Sequence, residues 1–139
     1  GSEMCIRDRH YTLNTGSPHY VIFMKDIDQQ DLIHIGRKIR YSADFPEGIN
    51  VNLVEQAGQD SIKVRTYERG VEDETLSCGT GVVASALCFY TVHHPGKETI
   101  RVETKGGLLE VNFKPVANGF ENIYLHGPAK MVFSGSINL

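Results

Sequence analysis

Tryptophan is absent from this chain, and cysteine is scarce: Cys5, Cys78 and Cys88 are the only three in 139 residues. The number is odd, and no CxxC or Cys/His ligand spacing occurs, which argues against a disulfide framework and against a zinc site. A reducing cytoplasm is the expected compartment. Long hydrophobic runs are also missing. The longest apolar stretch, Val82 to Val92, has polar interruptions and falls well short of the roughly 18 residues a bilayer span needs, so no membrane partner is expected. No charged leader followed by an apolar core opens the chain, so secretion is not indicated. There is no basic run, and the formal charge is -3. Nucleic acid therefore lacks its electrostatic footprint, and a small polar substrate is the better expectation.

What is present is ordinary for one globular domain: 40% hydrophobic and 22% charged residues, with enough length for a core of its own. Gly1-Ser2 resembles a protease-cleavage scar, and Glu3 to Arg9 shows neither strand alternation nor helical period. Residues 1–10 are accordingly expected to be a tag-derived or non-native leader, with Cys5 an incidental thiol and residues 11–139 the folded domain.

The stretch richest in chemistry is Glu68-Arg69-Gly70, a short acidic loop, and Ser77-Cys78-Gly79-Thr80-Gly81 running into Val82-Val83-Ala84-Ser85-Ala86-Leu87. Two glycines flank Thr80, so the backbone there tolerates positive φ and close approach to a ligand. The helix that follows leaves its first N–H groups unpaired, a setting that holds an anion and acidifies a thiol. A cysteine beside an apolar helix is otherwise a core residue, and that alternative stands on the residues alone.

Around this stretch the pattern is short strands and two helices. His19 to Met24 reads as a core strand entered from the turn Thr15-Gly16-Ser17-Pro18. Asp28 is placed to cap a helix over Gln29 to Tyr41, with Leu32, Ile35 and Ile39 on one face and Arg37, Lys38 and Arg40 on the other. Asn50 to Val54 and Ile62 to Thr66 alternate at period two and pair around Gly58. A second helix, apolar around most of its circumference and hence buried, is expected from Gly81 to Val92, stopped by His94-Pro95-Gly96. Ile100 to Thr104 and Leu109 to Phe113 make a hairpin about Gly106-Gly107, and Asn122 to Leu125 and Met131 to Phe133 add two strands. The expected fold is α+β: a mixed, largely antiparallel curved sheet or barrel wrapped around one central buried helix that presents Cys78 at its N-terminal end.

Ser17-Pro18-His19, Asn50-Val51-Asn52, Glu68-Arg69-Gly70 with Glu74-Thr75 and Cys78-Gly79-Thr80-Gly81, and Gly127-Pro128-Ala129 occur in the order and spacing of the C-terminal half of diaminopimelate epimerase. The chain resembles that family over residues 11 to 137. The resemblance implies a cofactor-independent isomerase that interconverts LL- and meso-diaminopimelate for lysine and peptidoglycan synthesis, with neither metal nor pyridoxal phosphate. One thiolate takes the α-proton and a thiol on the opposite face returns it. Cys78 matches the second of the family's two cysteines.

An amino-acid α-proton is very weakly acidic, so such a site must desolvate its base and spread the carbanion's charge onto the carboxylate. By the resemblance, the N–H groups of Gly79 and Thr80 would hold the α-carboxylate. His19 and Glu68 would assist proton transfer, Arg69 would pair with the distal carboxylate, and Asn50 and Ser17 would hydrogen-bond the substrate. Ser17 stands where the family often has asparagine, and a hydroxyl there makes fewer hydrogen bonds. The loop from Arg69 to Cys78 is one residue longer than the family pattern and crowds Glu72-Asp73-Glu74 near the site. Cys88, on another face of the helix, is expected in the core.

The first catalytic cysteine of the family has no counterpart here, so the partner implied is a missing N-terminal domain, without which the chain is expected to be inactive, and an exposed apolar patch should mark its seat. Other readings are an isomerase assembled when a second copy brings two Cys78 thiols together, a non-catalytic anion-binding or structural module, and a cysteine hydrolase with His19 activating Cys78.

Overall fold

The computed structural model describes residues 5–7, 10–128, 134–136 and 138. Nine strands are described, in the order β1 (Cys5–Arg7), β2 (His10–Asn14), β3 (Pro18–Phe23), β4 (Asn50–Gly58), β5 (Ser61–Glu68), β6 (Asp73–Thr75), β7 (Thr99–Thr104), β8 (Gly107–Val116) and β9 (Gly119–His126). Two helices, α1 (Leu32–Arg40) and α2 (Gly79–His93), fall within the β3–β4 and β6–β7 connections. The strands form one sheet in the spatial order β1-β2-β3-β4-β5-β7-β8-β9, with β6 pairing on β5. Among the described strands only β3–β4 and β5–β7 are parallel, and each joins its partner by a crossover that carries a helix. The α+β class and the largely antiparallel, mixed sheet are as expected from the sequence.

The sheet curls because α2 fills its concave side. Val82, Ala84, Ala86, Leu87, Cys88 and Phe89 are all at most 1% exposed, and α2 touches β2, β3, β4, β5, β7 and β8. A helix with no polar face has to be surrounded, and six strands do this. Its interior hydroxyl, on Ser85, donates back to the Gly81 carbonyl at 2.7 Å, so no polar group there is orphaned. Helix α1 lies on the convex side against β4 and β5. Strand β4 is thus buried on both faces: Val51 and Leu53 pack with the α1 layer, and Val54 with the α2 layer. Among the described residues, no helix is long and apolar enough to cross a membrane.

Several boundaries differ from the sequence expectation. Helix α1 starts later than Gln29, and its cap is Asp31, whose carboxylate accepts the His34 N–H at 3.1 Å, not Asp28. Asp28 lies in a 3-10 turn over Ile27–Gln29 and pairs with Lys63. That turn exists because Ile27 is wholly buried while Glu55 accepts the Asp26 N–H at 2.7 Å and Arg65 donates to the Gln30 carbonyl at 3.0 Å. Helix α2 starts two residues before Gly81, at Gly79, with Cys78 as its N-cap, and it ends at His93 with His94 left-handed at φ 47°. The hairpin turn is Lys105-Gly106, since Thr104 pairs with Gly107. Three strands, β1, β2 and β6, were not anticipated. The acidic loop contains β6, and His10–Asn14 forms β2, against which the backbone of Cys5–Arg7 pairs although that segment was set aside as patternless. The strand expected at Met131 to Phe133 lies outside the described residues.

Gly36 shows how tightly α1 is seated. A Cβ built there would lie 2.5 Å from Cγ of the buried Tyr67 ring. Gly36→Ala is expected to cost about 1–3 kcal/mol by overpacking despite alanine's better helix propensity, read as a Tm several degrees lower in thermal unfolding. An unchanged or higher Tm would contradict this packing.

Candidate functional site

The N-terminus of α2 enters between the ends of β3, β4 and β5, and the site residues collect there. Cys78 is extended (φ -123°, ψ 110°) and half-buried, and the first helical bond runs from the Val82 N–H to the Cys78 carbonyl at 2.8 Å. The N–H groups of Gly79, Thr80 and Gly81 therefore project from the helix end, where the dipole favours negative charge. Gly81 is required by the depth of this insertion. A Cβ on it would lie 2.6 Å from Asn52 Oδ1 and 3.0 Å from His19 Cε1.

A continuous polar network backs the helix end. His19, fully buried, places Nε2 2.7 Å from Thr80 Oγ1 and 3.1 Å from Ser17 Oγ. Ser17 Oγ is 3.2 Å from Thr80 Oγ1, and Cys78 Sγ is 3.6 Å from the same Thr80 oxygen. Thr15 donates its hydroxyl to the Thr80 carbonyl at 2.7 Å, tying the loop before β3 to the first turn of α2. On the other side of the imidazole, Asn52 Nδ2 lies 3.0 Å from His19 Nδ1. Asn52 Oδ1 accepts the Thr66 hydroxyl at 2.7 Å.

Asn50 is 4% exposed, and its amide is spent on the protein. Nδ2 donates to the Pro18 carbonyl at 2.9 Å and to Ser17 Oγ at 3.2 Å, while Oδ1 accepts the Arg69 N–H at 2.8 Å. It clamps the start of β3 to the end of β5. Arg69 is half-buried and gives one guanidinium bond to the Glu47 carbonyl at 3.1 Å. Glu68 ends β5, and period-two alternation puts it on the face that Thr66 presents to Asn52. No hydrogen bond or ion pair of its carboxylate occurs among the described residues.

Seven of the eight sequence-predicted site residues thus have hydrogen-bond partners or a defined place at the helix mouth: Ser17, His19, Asn50, Arg69, Cys78, Gly79 and Thr80, with Glu68 at the adjoining strand end. The His19 ring bonds to Thr80 and not to the Cys78 sulfur, so it reaches the thiol only through that hydroxyl. The crowded acids are largely committed elsewhere. Glu72 accepts from Arg40 on both oxygens, Nε to Oε1 at 3.2 Å and Nη2 to Oε2 at 2.9 Å, and Glu74 takes a bidentate pair from Arg65 at 2.9 and 2.8 Å. Burial alone would raise the Glu72 carboxyl, yet bonds from Arg40, the Gly70 N–H and Tyr67 hold it below the usual range. Cys88 is buried in the core as expected, and burial pushes its thiol up to about 12.

Thr15, Asn52 and Thr66 carry no expected site role from the sequence, where Asn52 stands only as part of a motif and Gly81 only as a flexible glycine beside Thr80. The available signal was polarity at the wrong phase: Asn52 and Thr66 fall on the core face of strands whose other core positions are Val54, Val64 and Ile62, and the two are cross-strand partners. Cavities of about 310 Å³ beside Tyr90 and Phe120 and about 530 Å³ beside Tyr20 and Phe45 lie away from Cys78. Leu125, 42% exposed, has Cδ2 3.3 Å from where a Cβ on Gly79 would stand, and Leu76, two positions before Cys78, is 69% exposed. Among the described residues, no group of three His, Cys, Asp or Glu side chains is placed to hold a metal ion.

A curled mixed sheet around a buried helix places the chain in a known fold class. Solved structures with the same arrangement include a predicted epimerase of Pseudomonas aeruginosa, with TM-score 0.62 and 14% identity over 81% of this chain and 41% of that one. A phenazine biosynthesis PhzF-family protein of Enterococcus faecalis gives TM-score 0.58 and 20% identity over 72% of this chain and 35% of that one. The family profile described as diaminopimelate epimerase matches residues 11–132, and the chain belongs to that family. The diaminopimelate epimerase of Flavobacterium psychrophilum is 44% identical over 97% of this chain and 53% of its own length. That of Archaeoglobus fulgidus is 47% identical over 94% of this chain and 44% of its own. The chain spans about half the length of the curated relatives it matches.

The buried His19 has a pH consequence. Burial, aided by the Arg69 charge, lowers its pKa from 6.5 to about 4. Between these values the unfolded state binds the extra proton, so stability rises with pH; the contribution is complete above 6.5 and lost as pH falls toward 4. At about 1.4 kcal/mol per pH unit this amounts to roughly 3 kcal/mol. Denaturant unfolding across that window is expected to show a steeper rise for the native chain than for His19→Gln. Equal slopes would assign the pH dependence to the carboxylates.

Proposed function

We propose that this chain is the C-terminal half of a cofactor-independent epimerase that interconverts LL- and meso-diaminopimelate, with Cys78 as one of two thiols acting on opposite faces of the α-carbon. The observation that carries this reading is the Cys78 N-cap: a half-buried sulfur beside the projecting N–H groups of Gly79, Thr80 and Gly81, in a member of the diaminopimelate epimerase family.

The geometry suits the chemistry. A substrate carboxylate seated on the helix N-terminus receives the N–H groups and the dipole, which stabilise the charge that builds on it once the α-proton leaves. Cys78 as thiolate takes that proton and becomes a thiol, and a thiol of the facing half supplies one to the other face and becomes a thiolate. Atoms balance with no redox step, and the reverse direction exchanges the roles. Thr80 holds the sulfur from one side, and His19 supports Thr80. Glu68, whose carboxylate has no protein partner among the described residues, serves proton transfer at the sulfur. Arg69, with its backbone pinned by Asn50, offers its remaining guanidinium donors to the distal carboxylate. Ser17 lies within the same network and orients the substrate end nearest Thr80.

The exposed Leu76 and Leu125 support a facing half that covers them, a separate domain in the first instance. The test is deuterium incorporation at the α-carbon of LL-diaminopimelate in heavy water. The chain alone is expected to give none, and adding the N-terminal half of a relative is expected to restore exchange in the native chain but not in Cys78→Ala. Exchange by the chain alone that rises with its concentration would favour self-assembly instead. Exchange that survives Cys78→Ala would overturn the reading. In the reconstituted enzyme, Arg69→Lys is expected to raise KM about 10–100-fold, the loss of a bidentate, charge-assisted pair; an unchanged KM would remove Arg69 from the distal carboxylate.

A further inference from the structure

The network behind Thr80 has a direction, and Asn52 sets it. A backbone carbonyl only accepts, and the Asn52 side chain places Nδ2 3.1 Å from the Tyr20 carbonyl. That contact fixes which end of the amide is nitrogen, and the Thr66 hydroxyl at 2.7 Å from Oδ1 completes the clamp. The same Nδ2 lies 3.0 Å from His19 Nδ1. An amide NH2 has protons to give and no lone pair to offer, so Nδ1 must be the acceptor. In a neutral imidazole the proton then sits on Nε2, which faces Thr80 Oγ1 at 2.7 Å.

The consequence runs outward to the sulfur. Asn50 Nδ2 donates to Ser17 Oγ at 3.2 Å, and Ser17 Oγ lies 3.2 Å from Thr80 Oγ1. With Nε2–H donating into the Thr80 oxygen, that hydroxyl keeps its own proton free for a further acceptor, and Cys78 Sγ lies 3.6 Å away. A ring with the opposite tautomer would instead accept from Thr80 and leave the sulfur without this donor. We propose that Asn52, clamped by Thr66 and the Tyr20 carbonyl, is a positioning residue that fixes His19 as the Nε2–H tautomer and so commits the Thr80 hydroxyl to stabilising the Cys78 thiolate. Its catalytic consequence rests on the proposed role of Cys78, whereas the tautomer and the Thr80 hydroxyl's contact with the sulfur are properties of this chain alone.

Both can be read without turnover. The first readout is the long-range nitrogen–proton correlation spectrum of the imidazole rings in the 139-residue chain. His19 is expected to show a protonated Nε2 and an unprotonated Nδ1 at neutral pH. Asn52→Asp puts an acceptor against Nδ1, and the expected result is protonation there, as the inverted tautomer or as imidazolium. Asn52→Ala removes the donor without adding charge, and a mixture of tautomers is expected.

The second readout is the pH dependence of Cys78 alkylation, mapped by peptide mass so that other thiols do not contribute. The midpoint is expected to rise in Asn52→Ala, by about 0.3 pH unit where the two tautomers become equally populated and toward about one unit, the size of one hydrogen bond to an ionised acceptor, where the donating tautomer is lost. Backbone amide spectra confirm that each variant is folded, and the alanine variant serves where the aspartate does not fold. A native His19 protonated on Nδ1 overturns the inference, as does an unchanged ring pattern and alkylation midpoint in the alanine variant. Failure of the epimerase reading would appear in the exchange experiment and leave these readouts standing.

Discussion

The arrangement depends on how far the first turn of α2 pushes into the sheet. Gly81 has no side chain, and Asn52 Oδ1 and His19 Cε1 occupy the space one would need, at 2.6 and 3.0 Å from the virtual Cβ. That close approach lets His19 reach Thr80 at 2.7 Å and Thr15 reach the Thr80 carbonyl at 2.7 Å. The apolar remainder of the helix then continues into the concave face, so the depth that places Cys78 at the surface also brings Leu87 and Phe89 to full burial. Site and core share one degree of freedom. A helix withdrawn by an ångström would break short polar bonds at one end and open voids at the other, and close-packed interiors resist both.

The convex layer serves the site less directly, by holding the segment from Glu68 to Cys78. Glu72 sits at φ 58°, a conformation uncommon outside glycine, and is kept there by Arg40, Tyr67 and the Gly70 N–H. Glu74 is tied to Arg65, which also ties down the Gln30 carbonyl ahead of α1. Partly buried ion pairs of this kind gain little net stability once desolvation is counted. Their effect here is geometric. They draw two carboxylates toward α1 and β5.

Much of this was legible in the sequence, for identifiable reasons. Helix α2 was recognisable because an apolar segment without a polar face has one destination, and Cys78 because glycines and a helix start surround it. Its exact start was not, since Gly79 and Thr80 are poor helix formers that become helical only when the sheet receives them. Asp28 and Asp31 are both acceptable caps by type. The buried Ile27 and the Arg65 bonds to the preceding loop decide between them, and those are contacts across 35 or more positions. The site's outer residues were found by motif, whereas Asn52 and Thr66 needed the β4–β5 register, which pairs them directly.

A thiolate that removes an α-proton needs two things that pull against each other. Its charge must be stabilised enough to exist near neutral pH, and its solvation must be poor enough to keep it basic. On the proposed reaction the helix end and Thr80 supply the first from within this chain, through fixed dipoles that need no reorganisation as charge moves. The second is not supplied from within, because Cys78 is half-buried and Leu76, two positions before it, and Leu125, near Gly79, still face solvent. On the proposed reaction these apolar side chains are the inner half of a water-excluding wall. Covering them buries hydrophobic area and dries the sulfur in one step, so the free energy that brings two halves together also raises the basicity of the group that acts between them.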